Sequence, residues 1–431
     1  MTDEASTLSG GVPEKRAIDT KSNFGFWGWS IVIIEAFMLW GSAGVQVHGL
    51  NIMVPTLSEH FGIPRTTLLF WATPASGGSV IAGFVCAMIA DKFGAKITIV
   101  MSLIMCALCF GMLGTWGTVP GFVILFFGVC FFGSGYAYVG GFALIANWFP
   151  GKKNLALGWV TMGQTFSTVV FVPLLAYLFV HIGVQAGFWA ISALLGVQLV
   201  IVLAMVKNTP EERGMTPDNM PVVAPAPDGG NGAAESKACP FTIGQLLKMK
   251  DVWFIALGSG GIFVMLVGVL SQFVPRLMTL GYSLDKAILY LSVSALIGVP
   301  GAYMWGWIGQ KFGTKNGLLF YTLWWLVAVI LNMFELSPVV LYLSLGMLGL
   351  SFGGASNLTT AIVAEKFPRA AFVRAFALIQ PIQGIIRCCS FAILAFGLTY
   401  LGGYIGAYAC LAAVGVVTLI LFWIMDPTPV A

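Results

Sequence analysis

The chain has 431 residues, 58% of them hydrophobic and 9% charged, with a formal net charge of +4 and a mean hydropathy of +0.92. Soluble domains carry about a quarter of their residues as Asp, Glu, Lys and Arg, so this composition excludes a soluble enzyme. No nucleic-acid partner is expected; the partner implied is the lipid bilayer. A helix crosses a bilayer with about 20 apolar residues, and twelve such runs follow one another. They lie near 25–50, 67–89, 97–115, 120–146, 155–180, 184–206, 252–278, 286–309, 316–334, 338–363, 373–399 and 404–425. An outer-membrane barrel would alternate with period two instead. The expected fold is an all-α membrane protein of twelve transmembrane helices in two pseudo-symmetric six-helix bundles.

In chain order, residues 1–24 form a polar tail with no cleavable signal, because the first apolar run is too long for one. Residues 25–206 form the first bundle. Residues 207–250 are hydrophilic, and their Pro/Gly/Ala-rich middle, 221–234, reads as a flexible linker. Residues 251–425 form the second bundle, and 426–431 a short tail. Seven of the eight cysteines (Cys86, Cys106, Cys109, Cys130, Cys388, Cys389, Cys410) fall inside apolar runs as small packing residues, and Cys239 falls in the hydrophilic segment. Neither they nor the three histidines form a metal framework, so no metal or cofactor is expected.

Basic residues set the orientation, since cytoplasmic loops are rich in Lys and Arg. With the N-terminus inside, seventeen of the 21 lie on one face, Arg65, Arg276 and Lys286 on the other, and Arg387 within a span. This predicts a multi-pass protein of the cytoplasmic membrane with both termini and 207–250 in the cytoplasm. Trp27, Trp29, Trp148, Trp253 and Trp423 fall near predicted helix ends, as an interfacial belt requires.

The chain repeats itself. Asp91-Lys92-Phe93-Gly94-Ala95-Lys96 after span two returns as Gln310-Lys311-Phe312-Gly313-Thr314-Lys315 after span eight. Phe149-Pro150 after span four returns as Phe367-Pro368 after span ten. Two repeated loops at nearly equal offset and matching boundaries indicate a six-span duplication. On these residues the chain resembles the major facilitator superfamily over essentially its whole length. The loop signature of that family, G-x-x-x-D-[RK]-x-G-[RK]-[RK], is met by Asp91, Lys92, Gly94 and Lys96, with Ala87 for its leading glycine. The second copy keeps Gly306, Lys311, Gly313 and Lys315 but has Gln310 for the acid. The resemblance implies a conformational latch formed by these loop residues; a purely topogenic role for Lys96 and Lys315 is the alternative.

A narrower resemblance is to the oxalate/formate antiporter and monocarboxylate transporter branch. It rests on Asn147-Trp148-Phe149-Pro150 with Lys152, Ala156 and Gly158, on Pro210-Glu211 with Gly214, Pro217 and Asp218, on Phe241-Thr242 and Trp253-Phe254, and on Gly281-Tyr282-Ser283. The oxalate exchangers of that branch carry an arginine in span eight and a lysine in span eleven, where this chain has Ala302 and Gln383. Dicarboxylate exchange therefore does not carry over. The G-P-x-x-G-G motif of drug/proton antiporters is also absent, since Val172 precedes Pro173.

Two formal charges fall deep within spans, Glu35 in span one and Arg387 in span eleven. They lie about 15 Å and 21 Å from the cytoplasmic ends of their helices at 1.5 Å per residue. A charge at mid-membrane costs about 2.5–3.5 kcal/mol or more, so each marks a functional position unless the two neutralise one another as a structural pair. Gln380, Gln383, Arg387 and Ser390 share one helix face, as do Glu35, Ser42 and Gln46, and as do Thr161, Gln164, Thr165 and Thr168. Polar stripes in apolar helices face a cavity or the bundle interior. The expected substrate-binding residues are Arg387, Gln383, Gln380, Tyr136, Gln164, Gln272 and Asn357, with Glu35 for proton coupling. Tyr138, Ser356 and Tyr303 are softer choices, and His48 reads as a solvated surface histidine. With no nucleotide-binding loop, the function expected is secondary transport of a small organic anion, a monocarboxylate, by a monomer, coupled to protons or by exchange. The alternatives are a non-transporting membrane sensor or assembly factor on the same fold, or a transporter of a neutral or hydrophobic solute.

Overall fold

A computed structural model describes residues 20–219, 241–334, 337–426 and 428–430. The 221–234 stretch, Cys239 and residues 1–19 of the N-terminal tail lie outside them. Among the described residues, eleven helices are long and apolar enough to cross a membrane: α1 (Gly25–His48), α2 (Phe70–Phe93), α3 (Ala95–Met112), α4 (Val119–Trp148), α5 (Lys153–Ile182), α6 (Val184–Met205), α7 (Lys250–Thr279), α8 (Lys286–Phe312), α9 (Thr314–Phe334), α11 (Phe372–Tyr400) and α12 (Tyr404–Ile424). Between α9 and α11, α10 is a broken span of two helices, Pro338–Phe352 and Gly354–Lys366, bent by 40°. The break presses backbone against backbone, for a Cβ on Gly353 would stand 2.5 Å from the Gly298 carbonyl of α8.

Local sequence explains where the spans begin and turn. Thr118 and Ser337 accept hydrogen bonds from Gly121 N–H and Val340 N–H, each with a proline in the first helical turn. Thr242 and Gln245 form a reciprocal capping box on the short helix before α7. The glycine shared by both copies of the repeated loop has a backbone reason. Gly94 (φ +90°) and Gly313 (φ +88°) turn the chain between adjacent spans in a conformation that side-chain-bearing residues rarely adopt.

The side chains pack as the duplication requires. α5 lies along α8 and α2 along α11, so each bundle contributes the matching pair of helices to the contact between halves. Small residues permit the approach: a Cβ on Gly306 would stand 2.5 Å from the Asn154 carbonyl and 2.9 Å from Gly158 Cα. Gly83 abuts Gln380 and Gly384 abuts Val80 in the α2–α11 pair. Outside, large apolar side chains face away from the protein, among them Ile33, Val180 and Val339, the last two three-quarters exposed or more. A belt of this kind is stable only in hydrocarbon.

Candidate functional site

The halves are fastened at the end that bears the basic loops. Arg374 Nε, in the first turn of α11, donates to Asp91 Oδ2 at 2.7 Å. At the duplicated position Gln310 Nε2 donates to the Gly151 carbonyl at 3.0 Å. One copy of the repeated loop thus makes a charged contact across the halves, and the other a neutral one. Lys153 Nζ donates to Ala364 O at 2.7 Å, Asn154 pairs with Thr314, and Arg369 grips both Glu211 oxygens. Asp218 holds the loop before α5 by accepting from Gly151 N–H (2.7 Å) and Lys152 N–H (2.8 Å). Burial pushes its carboxyl up, against the lowering effect of those two bonds.

The remaining loop cations have a different task. Lys96 Nζ donates to Leu203 O at the end of α6. Lys315 Nζ, its repeat counterpart, donates to Trp423 O and Met425 O at the end of α12. Each caps the carbonyl end of its own bundle's last helix, where a cation is favoured. Lys92 and Lys311 lie over the rings of Phe93 and Trp307.

Above this fastening lies a cavity of about 220 Å³, walled by both halves. Of the described residues, Arg387 is the Lys or Arg that lines it, and no Asp or Glu does. Among the described residues its guanidinium has no ion pair. Gln380 and Gln383 of α11, Gln46 of α1, Gln164 of α5 and Ser134 of α4 supply neutral polar groups; Phe142, Phe263, Leu266 and Val267 supply apolar wall. Gln164 Oε1 accepts from Ser356 Oγ at 3.1 Å, a hydrogen bond that joins the halves beside the cavity. The Gln46 amide sits between the hydroxyls of Ser42 (2.6 Å) and Ser134 (2.9 Å).

Two helices lose α regularity here. Gly44–His48 of α1 and Ser134–Gly141 of α4 are π-helical, and both stretches supply cavity residues. Such widened turns recur at functional positions.

The expected binding residues divide by placement. Arg387, Gln383, Gln380 and Gln164 come together in the cavity. Tyr136 points into the first bundle, fully buried with its hydroxyl unpartnered, and its near neighbour Tyr138 reaches the cavity instead. Gln272 accepts from Tyr404 within the second bundle. Asn357 donates to the Ala302 carbonyl, tying α10 to α8. Ala302, where the oxalate exchangers carry arginine, is fully buried in this contact. Glu35 is also fully buried, with neither oxygen hydrogen-bonded, and its carboxyl packs against Gly141 in the π-helical stretch of α4. It forms no ion pair with Arg387. His48, expected at a solvated surface, lines the cavity and meets Thr168 of α5.

Two six-helix bundles closed at one end around a pocket, lined by one cation that has no ion pair among the described residues, have the architecture of a polytopic membrane protein. The sequence matches the Major Facilitator Superfamily over residues 31–387, and the chain belongs to that family. It is 22% identical over 296 residues to the oxalate:formate antiporter of Oxalobacter formigenes. That alignment takes in 66% of this chain and 64% of the antiporter, just short of two thirds of its length. It is 22% identical over 365 residues to the benzoate transport protein of Acinetobacter baylyi, covering 79% of this chain and 77% of that protein. The fold superposes on that of the human organic anion transporter MFSD10 with a TM-score of 0.71, at 12% identity and over 91% and 99% of the two chains.

Proposed function

We propose that the protein is a secondary active transporter of a small organic monocarboxylate, with Arg387 as the carboxylate anchor. One observation carries this reading: among the described residues, the Arg387 guanidinium has no ion pair and lines a cavity to which no carboxylate contributes. A guanidinium grips a carboxylate through two parallel hydrogen bonds, and Gln383 lies one helical turn away. A second carboxylate on the substrate would find no second Lys or Arg among the described residues of the cavity and would stay unpaired at a heavy desolvation cost. The volume suits the class, since a cavity of about 150 Å³ admits benzene and 220 Å³ leaves room for a carboxylate beside one ring. The relatives named for oxalate and formate, and for benzoate, support an organic acid as cargo.

Placement supports the rest of the mechanism. Glu35 carries the coupling proton, lying apart from the cavity but against the helix that lines it. Asp91 with Arg374, and Gln310 with Gly151, form the latch of the closed end, while Gly94 and Gly313 shape its loops. Lys96 and Lys315 brace the latch by capping α6 and α12, and Lys92 and Lys311 flank it. The basic face is cytoplasmic, so the state described is closed to the cytoplasm, and rocking of the halves opens that end. The protein works as a monomer.

Uptake by purified protein in proteoliposomes tests this reading. Benzoate or a short aliphatic monocarboxylate should accumulate under a pH gradient or exchange against preloaded acid. Glu35→Gln should abolish the proton-driven accumulation and leave exchange measurable. Full proton-driven accumulation by the variant would make Glu35 structural, and failure of the parent to move any monocarboxylate would refute the assignment.

A further inference from the structure

The π-helical turn of α1 is bounded by glycines. Gly49 N–H donates to Gly44 O at 2.8 Å, an i to i+5 bond, and a Cβ on Gly44 would enter the ring of Phe171 of α5. The widened turn brings Gln46, Val47 and His48, three consecutive residues, to the cavity wall. In a regular α-helix they would spread over about 200°.

Among the described residues, Thr168 is the hydrogen-bond partner of His48. Its Nδ1 lies 3.1 Å from Thr168 Oγ1 and its Nε2 3.5 Å from the same oxygen. One hydroxyl satisfies one ring nitrogen, and the other nitrogen retains a donor or acceptor for a molecule in the cavity. Arg387 enters the cavity from the other half of the protein, and Val47, Val80, Phe263 and Val267 contribute apolar wall. The cavity therefore offers a cation on one half, apolar wall, and a hydrogen-bonding imidazole on the other half.

We propose that His48 is a specificity-determining residue, and that the substrate carries an uncharged hydroxyl or carbonyl on the far side of an apolar skeleton from its carboxylate. The class is a hydroxy- or oxo-monocarboxylate in which polar ends flank an apolar or aromatic body. This rests on Arg387 as the carboxylate anchor. His48 selects among monocarboxylates; Arg387 admits them. The bond to Thr168 orients the imidazole, so that the free nitrogen meets the substrate without a search over ring rotamers.

Acid pairs that differ by one distal hydroxyl test the proposal: benzoate against 3- and 4-hydroxybenzoate, phenylacetate against 4-hydroxyphenylacetate, and propionate against 3-hydroxypropionate. Their binding is measured by titration calorimetry on the full chain in detergent. The parent should prefer the hydroxylated member in at least one pair, on the order of tenfold for one buried hydrogen bond. His48→Phe should erase that preference, and a melting temperature like the parent's certifies the fold. His48→Gln, smaller and still able to hydrogen-bond, should keep part of the preference, and it carries the test if the Phe variant does not fold. A parent without preference in every pair, or a His48→Phe protein that keeps it, overturns the proposal. Should the parent bind no member of any pair, the Arg387 anchor itself fails and takes this inference with it, whereas a loss confined to the hydroxylated acids leaves the anchor standing.

Discussion

Arg387→Gln is the substitution on which the carboxylate reading stands or falls. Glutamine keeps a hydrogen-bonding side chain of moderate length but removes the charge and the fork. Because Arg387 is paired with no acid among the described residues, its removal strands no buried carboxylate, and the fold should survive with its melting temperature nearly unchanged. Lys366 is the contrasting case: it is buried against Asp251 at 3.1 Å, and its loss would leave that acid uncompensated. Hydrogen bonds to charged groups contribute about 1.5–3 kcal/mol each, and the neutral amides of Gln380 and Gln383 recover part of what is lost. The net penalty is about 2–4 kcal/mol, or roughly 30- to 1000-fold in affinity. Arg387→Lys keeps the charge without the paired geometry and should lie between, near tenfold weaker than the parent. Titration calorimetry in detergent on folded protein reads all three. If Arg387→Gln binds a monocarboxylate within threefold of the parent, the anchor lies elsewhere.

Much of the fold is legible in the sequence because burial in a bilayer is one-dimensional. Length and hydropathy set which residues cross, and a run such as 184–206 returns as Val184–Met205. The repeated loops were legible for a related reason: Gly94 and Gly313 hold the same left-handed turn, and only glycine meets it without strain. Facing is harder than depth. Gln380, Gln383 and Arg387 keep an α-helical period on an unbroken helix, and they reach the cavity as that period says. Tyr136 and Tyr138 lie inside a π-helical stretch, where a period of 3.6 no longer assigns a face, and the two residues part company. His48 was obscured by the same irregularity, since depth placed it near a surface and the π turn of α1 turned it inward. The pairing of Thr168 with Gln164 on one face of α5 was a signal for it, because a polar stripe needs a polar partner opposite. Nor could spacing show that Lys96 and Lys315 cap their own bundles rather than clamp the two together. That distinction depends on which helix end lies within a lysine's reach.

The orientation is checked by single cysteines in a background freed of native ones. Gly244→Cys, where a Cβ meets nothing within 4 Å, should label only from the cytoplasm, and exposed Ser283→Cys only from outside; the reverse would invert the topology. At Glu211, burial acts to raise the carboxyl, but hydrogen bonds from Arg369 and the backbone, with the Arg369 charge, hold it below the usual carboxylate range. Its contact is therefore whole at neutral pH and lost as pH falls through that lowered value. With both side chains substantially exposed, Glu211→Gln at pH 7 should loosen the closed end by less than about 1 kcal/mol, read as faster amide exchange around 369–371; unchanged exchange would make the pair idle. The strongest test of rocking is Gly306→Ala. The new Cβ would stand 2.5 Å from the Asn154 carbonyl, 2.8 Å from Asn357 Nδ2 and 2.9 Å from Gly158 Cα, and two of these three obstacles are backbone. Overpacking of this kind costs about 1–3 kcal/mol, and it falls on the closed end alone if α5 and α8 part there when that end opens. The closed-to-open ratio should then drop roughly 5- to 150-fold. Spin labels at Glu212 and Gly244, on opposite halves, should show a longer-distance population rising in the variant, while Gly346→Ala, whose Cβ meets nothing, should leave the distribution alone. A Gly306→Ala protein with the parent's distances would mean that the α5–α8 contact does not separate during the cycle, and that the closed end opens by some motion other than the parting of these two helices.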